Sequence, residues 1–374
     1  MSSFEYILLT GLTSYITGAV LIIISLRAGA KVKNESCGAS SPFVSVIIAA
    51  HNEEASIGAC LSSLADQCYP RDAFEVIIAD DRSDDGTYEI IQCYKDSFSS
   101  LTVIRILETP LGISPKKHAL MQAIASSRGE IIMQTDADCI VPSGWIKHMI
   151  RPFSGSVGFV AGISPYRQGS GLLNSFIRHE YLWNVALMAG SIGLGAGTHA
   201  AGRNLAFLIK AFGEAGGYGA SSHVLSGDDT LLLQRIQART GYRAAVMLDS
   251  GSHVMTQAPS TFRAFLRQRQ RHMSTGKRFN PFAIAAGIVV YGFHVLLLAG
   301  LVLSPFITSL ILPVVAALFL KLCIDAIAAQ LVRSRSGLDI QWGRFFFNEL
   351  CLIVYMAVMP VLGTIFSPRW KENS

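Results

Sequence analysis

The sequence predicts an α/β domain built on a mostly parallel sheet, joined to apolar helices long enough to cross a bilayer. Three observations lead there. Between residues 44 and 135, short apolar runs alternate with stretches of helical spacing, the pattern of strands and crossover helices. Three of those four strands end in acidic or polar residues, as expected where an open sheet gathers a ligand at its carboxyl edge. And the 374-residue chain is 51% hydrophobic and only 15% charged, with a mean hydropathy of +0.40, too apolar for an ordinary soluble enzyme.

Composition also excludes some classes. The net charge of +5 is modest, and no basic run interleaved with aromatics suggests a nucleic-acid partner. Seven cysteines are scattered singly with no Cys-x-x-Cys. That argues against a zinc site or a disulfide framework and fits a reducing compartment.

Tyr6–Leu26 carries no charged residue and is long enough to span. Arg27, Lys31 and Lys33 follow it, whereas only Glu5 precedes it. The positive-inside bias then puts the N-terminus outside and the rest of the domain in the cytoplasm. Ala28-Gly-Ala30 resembles a signal-peptide cleavage site, but a signal peptide has its basic residues before the apolar run. An anchor over residues 1–33 is the expectation, followed by a polar linker, Asn34–Pro42.

Val44–Ala50 is the first strand, closed by His51-Asn-Glu-Glu54, and Ala55–Ala65 has helical spacing. Phe74–Ala79 is a second strand, ending in Asp80-Asp-Arg-Ser-Asp-Asp-Gly-Thr87, and Tyr88–Tyr94 is helical. Leu101–Ile106, a helix over Lys116–Ser126 and a fourth strand, Ile131–Thr135, follow. That strand presents Asp136 and Asp138 one residue apart. On an extended backbone both carboxylates would point the same way, and two hard oxygens there suit a divalent cation.

Beyond Asp138 the pattern is less regular. Leu172–Leu194 is apolar enough to span, but Arg178, His179 and Glu180 near its middle are expensive in lipid. It is read as an amphipathic helix against the domain or the membrane face. Ser226-Gly-Asp-Asp-Thr230 opens a helix over Leu231–Thr240, with Asp228 or Asp229 near its N-terminus. Thr261–His272 is basic and amphipathic, like helices that lie in a membrane interface. A cytoplasmic domain over residues 34–275 is expected to end there.

Residues 276–374 hold three further candidate spans, Phe282–Leu303, Pro305–Ala329 and Phe345–Phe366, the first two joined by a tight hairpin at Ser304-Pro305. Arg333, Arg335 and Arg344 place the next connection in the cytoplasm. Lys321 and Asp325, four apart on one face, are expected to pair near the cytoplasmic end of their helix. A fourth span puts the C-terminus outside, although Arg369 and Lys371 against Glu372 oppose that. The alternative has the last run bend back at Pro360 or lie in the interface.

At this point the motifs resemble a known family. Val44–Glu54, Asp80–Thr87, Asp136-Ala-Asp138, Gly227-Asp-Asp229 and Gln268-Arg-Gln-Arg271 are similar, in order, to the signatures of the family 2 inverting glycosyltransferases. The resemblance covers about residues 42–275. It implies a GT-A (Rossmann-like) fold, a nucleotide-sugar donor, UDP-linked by expectation, and a Mg²⁺ or Mn²⁺ cofactor. Position by position it assigns Ala49, His51 and Glu53 to the first nucleotide-binding segment and Asp81 to the base. Lys116, or the adjacent Lys117, goes to the diphosphate, and Asp136 and Asp138 to the metal. Asp229 is implied as catalytic base with Asp228 beside it, and Gln268 and Arg271 as the Gln-x-x-Arg motif near the acceptor and diphosphate. The chain departs from the pattern at His51 for Tyr, Asp228 for Glu and His272 for Trp. The last leaves acceptor identity and processivity open. Asp80–Gly86 is also an ordinary turn sequence, and Asp228 an ordinary helix cap.

Those parts suit single displacement. Asp229 would take the proton of an acceptor hydroxyl as it attacks the anomeric carbon, and the metal and basic groups would neutralise the departing diphosphate. The expectation is a membrane enzyme transferring sugar to a lipid, isoprenoid or glycan acceptor at the cytoplasmic face. The alternatives are a processive polysaccharide synthase and an inactive membrane scaffold.

Overall fold

The computed structural model describes residues 3–28, 41–219, 223–224, 227–273 and 278–365. The linker expected over Asn34–Pro42, the tail beyond Phe366, Lys31, Lys33 and Ser226 lie at least partly outside them. The chain divides into two compact units, Lys31–Arg167 with His199–Gln257, and Met1–Ala30 with Gln168–Thr198 and Ala258–Ser374.

The first unit holds a seven-stranded sheet. Its strands are β1 (Val44–Ala50), β2 (Phe74–Asp81), β3 (Leu101–Ile106), β4 (Ile131–Asp136), β5 (Val157–Gly162), β6 (Leu205–Leu208) and β7 (Arg243–Met247). Their order is β3-β2-β1-β4-β6-β5-β7. β1 to β4 run parallel, β6 is antiparallel to β4 and β5, and β7 is parallel to β5. The helices are α2 (Ile57–Ala65), α3 (Thr87–Cys93), α4 (Pro115–Ala125), α5 (Trp145–Ile150), α7 (Ile209–Glu214) and α8 (Asp228–Arg239). β1 and β2 are buried along nearly their whole length, which is why they read as continuous apolar runs. Val44, Val46, Ile48, Ile131 and Met133 join Ile57, Leu61, Trp145 and Met149 in one core. By strand alternation, Ile132, Gln134 and Asp136 face the other side of the sheet.

Three features of this unit differ from expectation. β5 to β7 are strands that the sequence pattern does not announce. They are only four to six residues long, and β5 begins and ends beside glycines that weaken its β signal. β4 extends to Asp136, and the chain then turns, with the Cys139 N–H donating to Asp136 O at 3.1 Å. Asp138 therefore sits in a turn and not on an extended backbone. Finally, α8 starts at Asp228 with Gly227 at its N-cap in the left-handed region, φ 76°. Gly227, not Asp228, makes the cap, because only a residue without a Cβ takes that conformation cheaply.

The second unit is helical, with α1 (Ser3–Ala28), α6 (Leu172–Gly193), α9 (Phe262–Met273), α10 (Pro281–Leu303), α11 (Ile311–Ser336) and α12 (Trp342–Ile365). Four helical segments in it, Ser3–Ala28, Pro281–Leu303, Thr308–Ser336 and Trp342–Leu362, are long and apolar enough to cross a membrane. α10 and α11 are joined by a turn in which Phe306 and Ile307 N–H both donate to Leu303 O. α12 runs on past Pro360. Leu8, Leu12 and Tyr15 of α1 pack with Phe293, Leu297, Val314 and Ile353. α6 lies so close to α1 that a Cβ on Gly190 would meet Ile22 Cγ2 at 2.6 Å, and Ser25 Oγ donates to Gly190 O.

Buried charge in this unit is paired. Lys321 Nζ lies 2.6 Å from Asp325 Oδ2 and also contacts Glu349 Oε2. Glu349 Oε1 accepts from His179 Nε2 at 2.8 Å and Trp183 Nε1 at 3.3 Å, and Tyr15 OH donates to Asp325. Lys321, Asp325 and Glu349 are 0% exposed, and the Lys321–Asp325 pair sits in the middle of α11 and not near an end. Glu180 takes Arg269 of α9. α6 is thus not amphipathic in the expected sense. His179 and Glu180 face partners inside the unit, which offsets part of the cost of carrying them in an apolar helix.

Candidate active site

The strand register brings the expected residues to one edge of the sheet. Ala49 is the Cα partner of Ala79 on one side and Asp136 on the other, and Ala50 of Asp80. The loops after β1 and β2 are laced together. Asn52 and Arg82 both adopt left-handed backbone, φ 55° and 57°. Asn52 N–H donates to Ser83 Oγ, Asn52 Oδ1 accepts from Asp84 N–H, and Glu54 N–H donates to Asp85 Oδ2. Glu54 Oε2 in turn accepts from Gly86 N–H, and Glu53 N–H donates to Thr87 Oγ1. His51 Nδ1 donates to Asp81 O at 2.6 Å. A carbonyl only accepts, so this ring nitrogen carries the proton.

Asp81 is 6% exposed and bridged by Arg82 Nε at 2.9 Å. Asp80 Oδ2 is buried without a hydrogen bond, with Arg105 Nε at 3.7 Å and the Arg105 guanidinium over the Tyr88 ring. The motif is therefore more than a solvated turn, because the Asp80 and Asp81 carboxylates are buried and each lies against an arginine at the surface.

Lys116, in the first turn of α4, reaches across to Asp136, Nζ to Oδ1 2.8 Å. Burial alone would lower the Lys116 pKa, but Asp136 and then Asp228 outweigh it and raise it. Lys117 points elsewhere and is buried, donating to Val224 O, so of the two lysines Lys116 is the one at the carboxylate. Asp138 is exposed, and its Oδ1 accepts from the Cys139 thiol at 3.4 Å.

Asp228 and Asp229 occupy the first turn of α8, where the helix N-terminus favours negative charge. Asp229 accepts from Gly202 N–H (Oδ2) and from Thr230 N–H (Oδ1), both at 2.6 Å. Burial, then the neighbouring Asp228 carboxylate, push the Asp229 carboxyl up to about 6, against those N–H donors and Lys116. Asp228 is 7% exposed and its Oδ2 is buried without a hydrogen bond. A carboxyl raised toward neutrality by burial and a neighbouring carboxylate is suited to take a proton near neutral pH.

Sequence reading missed the group that holds Asp229. Gly202 lies in a turn closed by Asn204 N–H on Ala201 O, and its own carbonyl accepts from Gln134 Nε2 at 2.8 Å. Asn204 is fully buried, accepting from Trp145 Nε1 and donating to Ile163 O and Ser252 O. The available signal was Ala201-Gly-Arg-Asn204, a glycine and an asparagine opening an apolar strand. Gln268, Arg271 and His272 belong to α9 of the helical unit. Gln268 is half-buried, Arg271 is exposed, and the His272 side chain lies outside the described residues.

For a divalent ion the chemistry of the donor set is suitable. Asp136 and Asp138 offer hard carboxylate oxygens that remain partly exposed. Among the described residues no group of three His, Cys, Asp or Glu could hold a metal by itself. The protein would supply two ligands and leave the rest of a six-oxygen shell to phosphate and water, as is usual for Mg²⁺.

Residues 45–207 match the family described as Glycosyl transferase family 2, and residues 131–332 the Glycosyl transferase family group 2. Glycosyltransferase AglE of Haloferax volcanii is 33% identical over 122 residues, 32% of this chain and 39% of that protein. Beta-monoglucosyldiacylglycerol synthase of Trichormus variabilis is 38% identical over 114 residues, 30% of this chain and 24% of that one. The chain thus spans well under two thirds of the length of these relatives. A mannosyltransferase from Pyrobaculum calidifontis, solved with GDP-Man and Mn²⁺, superposes with TM-score 0.61 at 22% identity, covering 97% of this chain and 99% of that one. That likeness gives the GT-A fold, and the ordered acidic motifs agree with the matched regions. The chain belongs to glycosyl transferase family 2.

Proposed function

We propose that this protein is an inverting glycosyltransferase that moves a sugar from a nucleotide-sugar donor, UDP-linked in the first instance, to a lipid or isoprenoid acceptor at the cytoplasmic face of a membrane. The observation that carries the reading is the pairing of two acidic points in the sheet unit. Asp136 at the carboxyl edge of β4 holds Lys116, and Asp229 at the start of α8 is held by Gly202 and raised toward neutrality. Relatives whose names include a glucosyldiacylglycerol synthase and helices able to span support the lipid acceptor.

In this reading the laced loops after β1 and β2 seat the nucleoside, with Asp81 accepting from the base. Lys116 lies against the diphosphate and stabilises its growing charge. Asp136 and Asp138 would hold a divalent ion, which when bound neutralises the leaving diphosphate. Asp229 accepts the proton of the acceptor hydroxyl as that oxygen attacks the anomeric carbon on the face opposite the diphosphate. One base and one displacement invert the configuration. Gln268 and Arg271 on the basic helix α9 are assigned to the acceptor side.

The test is transfer by the purified full-length protein in lipid nanodiscs, supplied with host lipid extract and a panel of labelled UDP- and GDP-sugars. A single added sugar on a lipid, with inverted anomeric configuration, is the expected product. Long polymer would favour a synthase. No product from any donor, with the protein folded, would leave the scaffold reading.

A further inference from the structure

We propose that Gln134 is a positioning residue for the base Asp229, acting through Gly202; the inference rests on the reading of Asp229 given above. Gln134 is 0% exposed in the middle of β4, between apolar strands that ask for an apolar side chain. Burying an amide there is costly unless its groups are hydrogen-bonded. Both are: Nε2 donates to Gly202 O at 2.8 Å, and Oε1 accepts from Tyr218 OH at 3.3 Å.

The consequence lies at Gly202. Its carbonyl is held by Gln134 and its N–H by Asp229, so the peptide planes on both sides of one Cα are set by two side chains. Glycine has the widest backbone freedom of any residue, and a glycine held at one end alone would not keep its N–H aimed. A side chain at this position would crowd the same groups. A Cβ on Gly202 would meet Asp229 Oδ2 at 3.3 Å, Asp228 Oδ2 at 3.5 Å and Gln134 Nε2 at 3.5 Å. Three functional groups converge on this one atom.

Gln134 also precedes Asp136 by two residues, and so shares its face of the sheet. One rigid strand therefore carries the acidic point assigned to the diphosphate and the anchor of the base. The separation between leaving group and base is then set by the pleat of β4 and not by loop flexibility. Sites built on strands hold geometry better than sites on loops.

The experiment combines hydrogen exchange with kinetics on the full-length protein. Gln134→Met keeps the side-chain length and removes both bonds, Gln134→Leu removes them with a branched side chain, and Tyr218→Phe, which removes only the bond to Oε1, serves as control. Both Gln134 variants should speed exchange of the Gly202 amide by about tenfold or more, measured well below the unfolding temperature of each. With the most active donor among UDP-glucose, UDP-galactose, UDP-N-acetylglucosamine and GDP-mannose, Gln134→Met should lower kcat by roughly 10- to 100-fold with donor KM within about twofold. Combined with Asp229→Asn it should cost nothing further, because both changes disable one device. Tyr218→Phe should stay near wild type. A Gly202 amide as protected as in the wild type overturns the proposal, and so do losses that multiply in the double variant. Full activity of Asp229→Asn would overturn the assignment of the base itself, a result the exchange measurement distinguishes from failure of the Gln134 hold.

Discussion

The Lys116 ammonium sits 2.8 Å from Asp136 Oδ1, so the carboxylate assigned to a metal ion already holds a cation of the chain's own. Lysine and metal then compete for Asp136 until a diphosphate arrives to engage both. Lys116→Met should therefore tighten Mn²⁺ binding to the donor-free protein several-fold, because a repelling charge is gone. The same change should weaken nucleotide-sugar binding and slow transfer. Calorimetric titration of Mn²⁺ with and without UDP checks both signs; weaker Mn²⁺ binding by the donor-free variant would sink the competition.

Asp138→Ala removes one of the two carboxylates assigned to a divalent ion, at a place where the described residues offer no third ligand. Metal-dependent UDP binding should disappear and transfer should fall by about a hundredfold or more, while the unfolding temperature holds because Asp138 is exposed. Full turnover in excess EDTA would contradict this.

A general base works deprotonated, and the carboxyl of Asp229, assigned that role, is pushed up to about 6. Transfer should accordingly rise with pH through about 6 and level off above it. Asp229→Asn should cost roughly two to four orders of magnitude in kcat with donor binding kept. Asp228→Asn removes a neighbouring charge that raises Asp229, so the acid limb should move to lower pH. A limb that moves up, or a larger loss in Asp228→Asn than in Asp229→Asn, would show the roles reversed.

In the helical unit, Lys321→Met strands two carboxylates, Asp325 and Glu349, in a fully buried cluster. Breaking a buried pair in this way costs about 3–5 kcal/mol. Thermal unfolding in detergent should show a large fall, and the triple variant with Asp325→Asn and Glu349→Gln should recover much of it. Equal stability of Lys321→Met and wild type would mean that the cluster contributes little.

Topology is open to direct measurement. Four spans with residue 27 onward in the cytoplasm put a cysteine introduced at Ser374 within reach of an impermeant reagent in intact cells, on a background lacking the native cysteines. Labelling only after lysis would mean three spans.

What the sequence made legible follows from where the information lies. β1, β2 and β4 are buried on both faces and so spell themselves out as apolar runs, and the acidic residues that end them mark the carboxyl edge. β5 to β7 pair with strands distant in sequence, and their short runs leave little local trace. Asp138 shows a subtler limit. Strand alternation placed it beside Asp136, yet the chain turns after Asp136, so any convergence of the two depends on a turn that spacing does not reveal. Gln134 looked like an incidental polar residue in a strand. Its meaning lies in a carbonyl 68 positions away. Lys321 and Asp325 were visible as an i,i+4 pair, whereas Glu349 and His179 reach them only through the packing of three helices.

That cluster also sets an order of assembly. α11 emerges from the ribosome with Lys321 and Asp325 already paired on one face, and so can partition into a bilayer as a neutral segment. α12 cannot, since no basic residue lies within four positions of Glu349. The groups that bond its carboxylate, Lys321 and His179, are on helices synthesised earlier. The Glu349 carboxylate therefore gains its partners only when α12 docks against helices made before it.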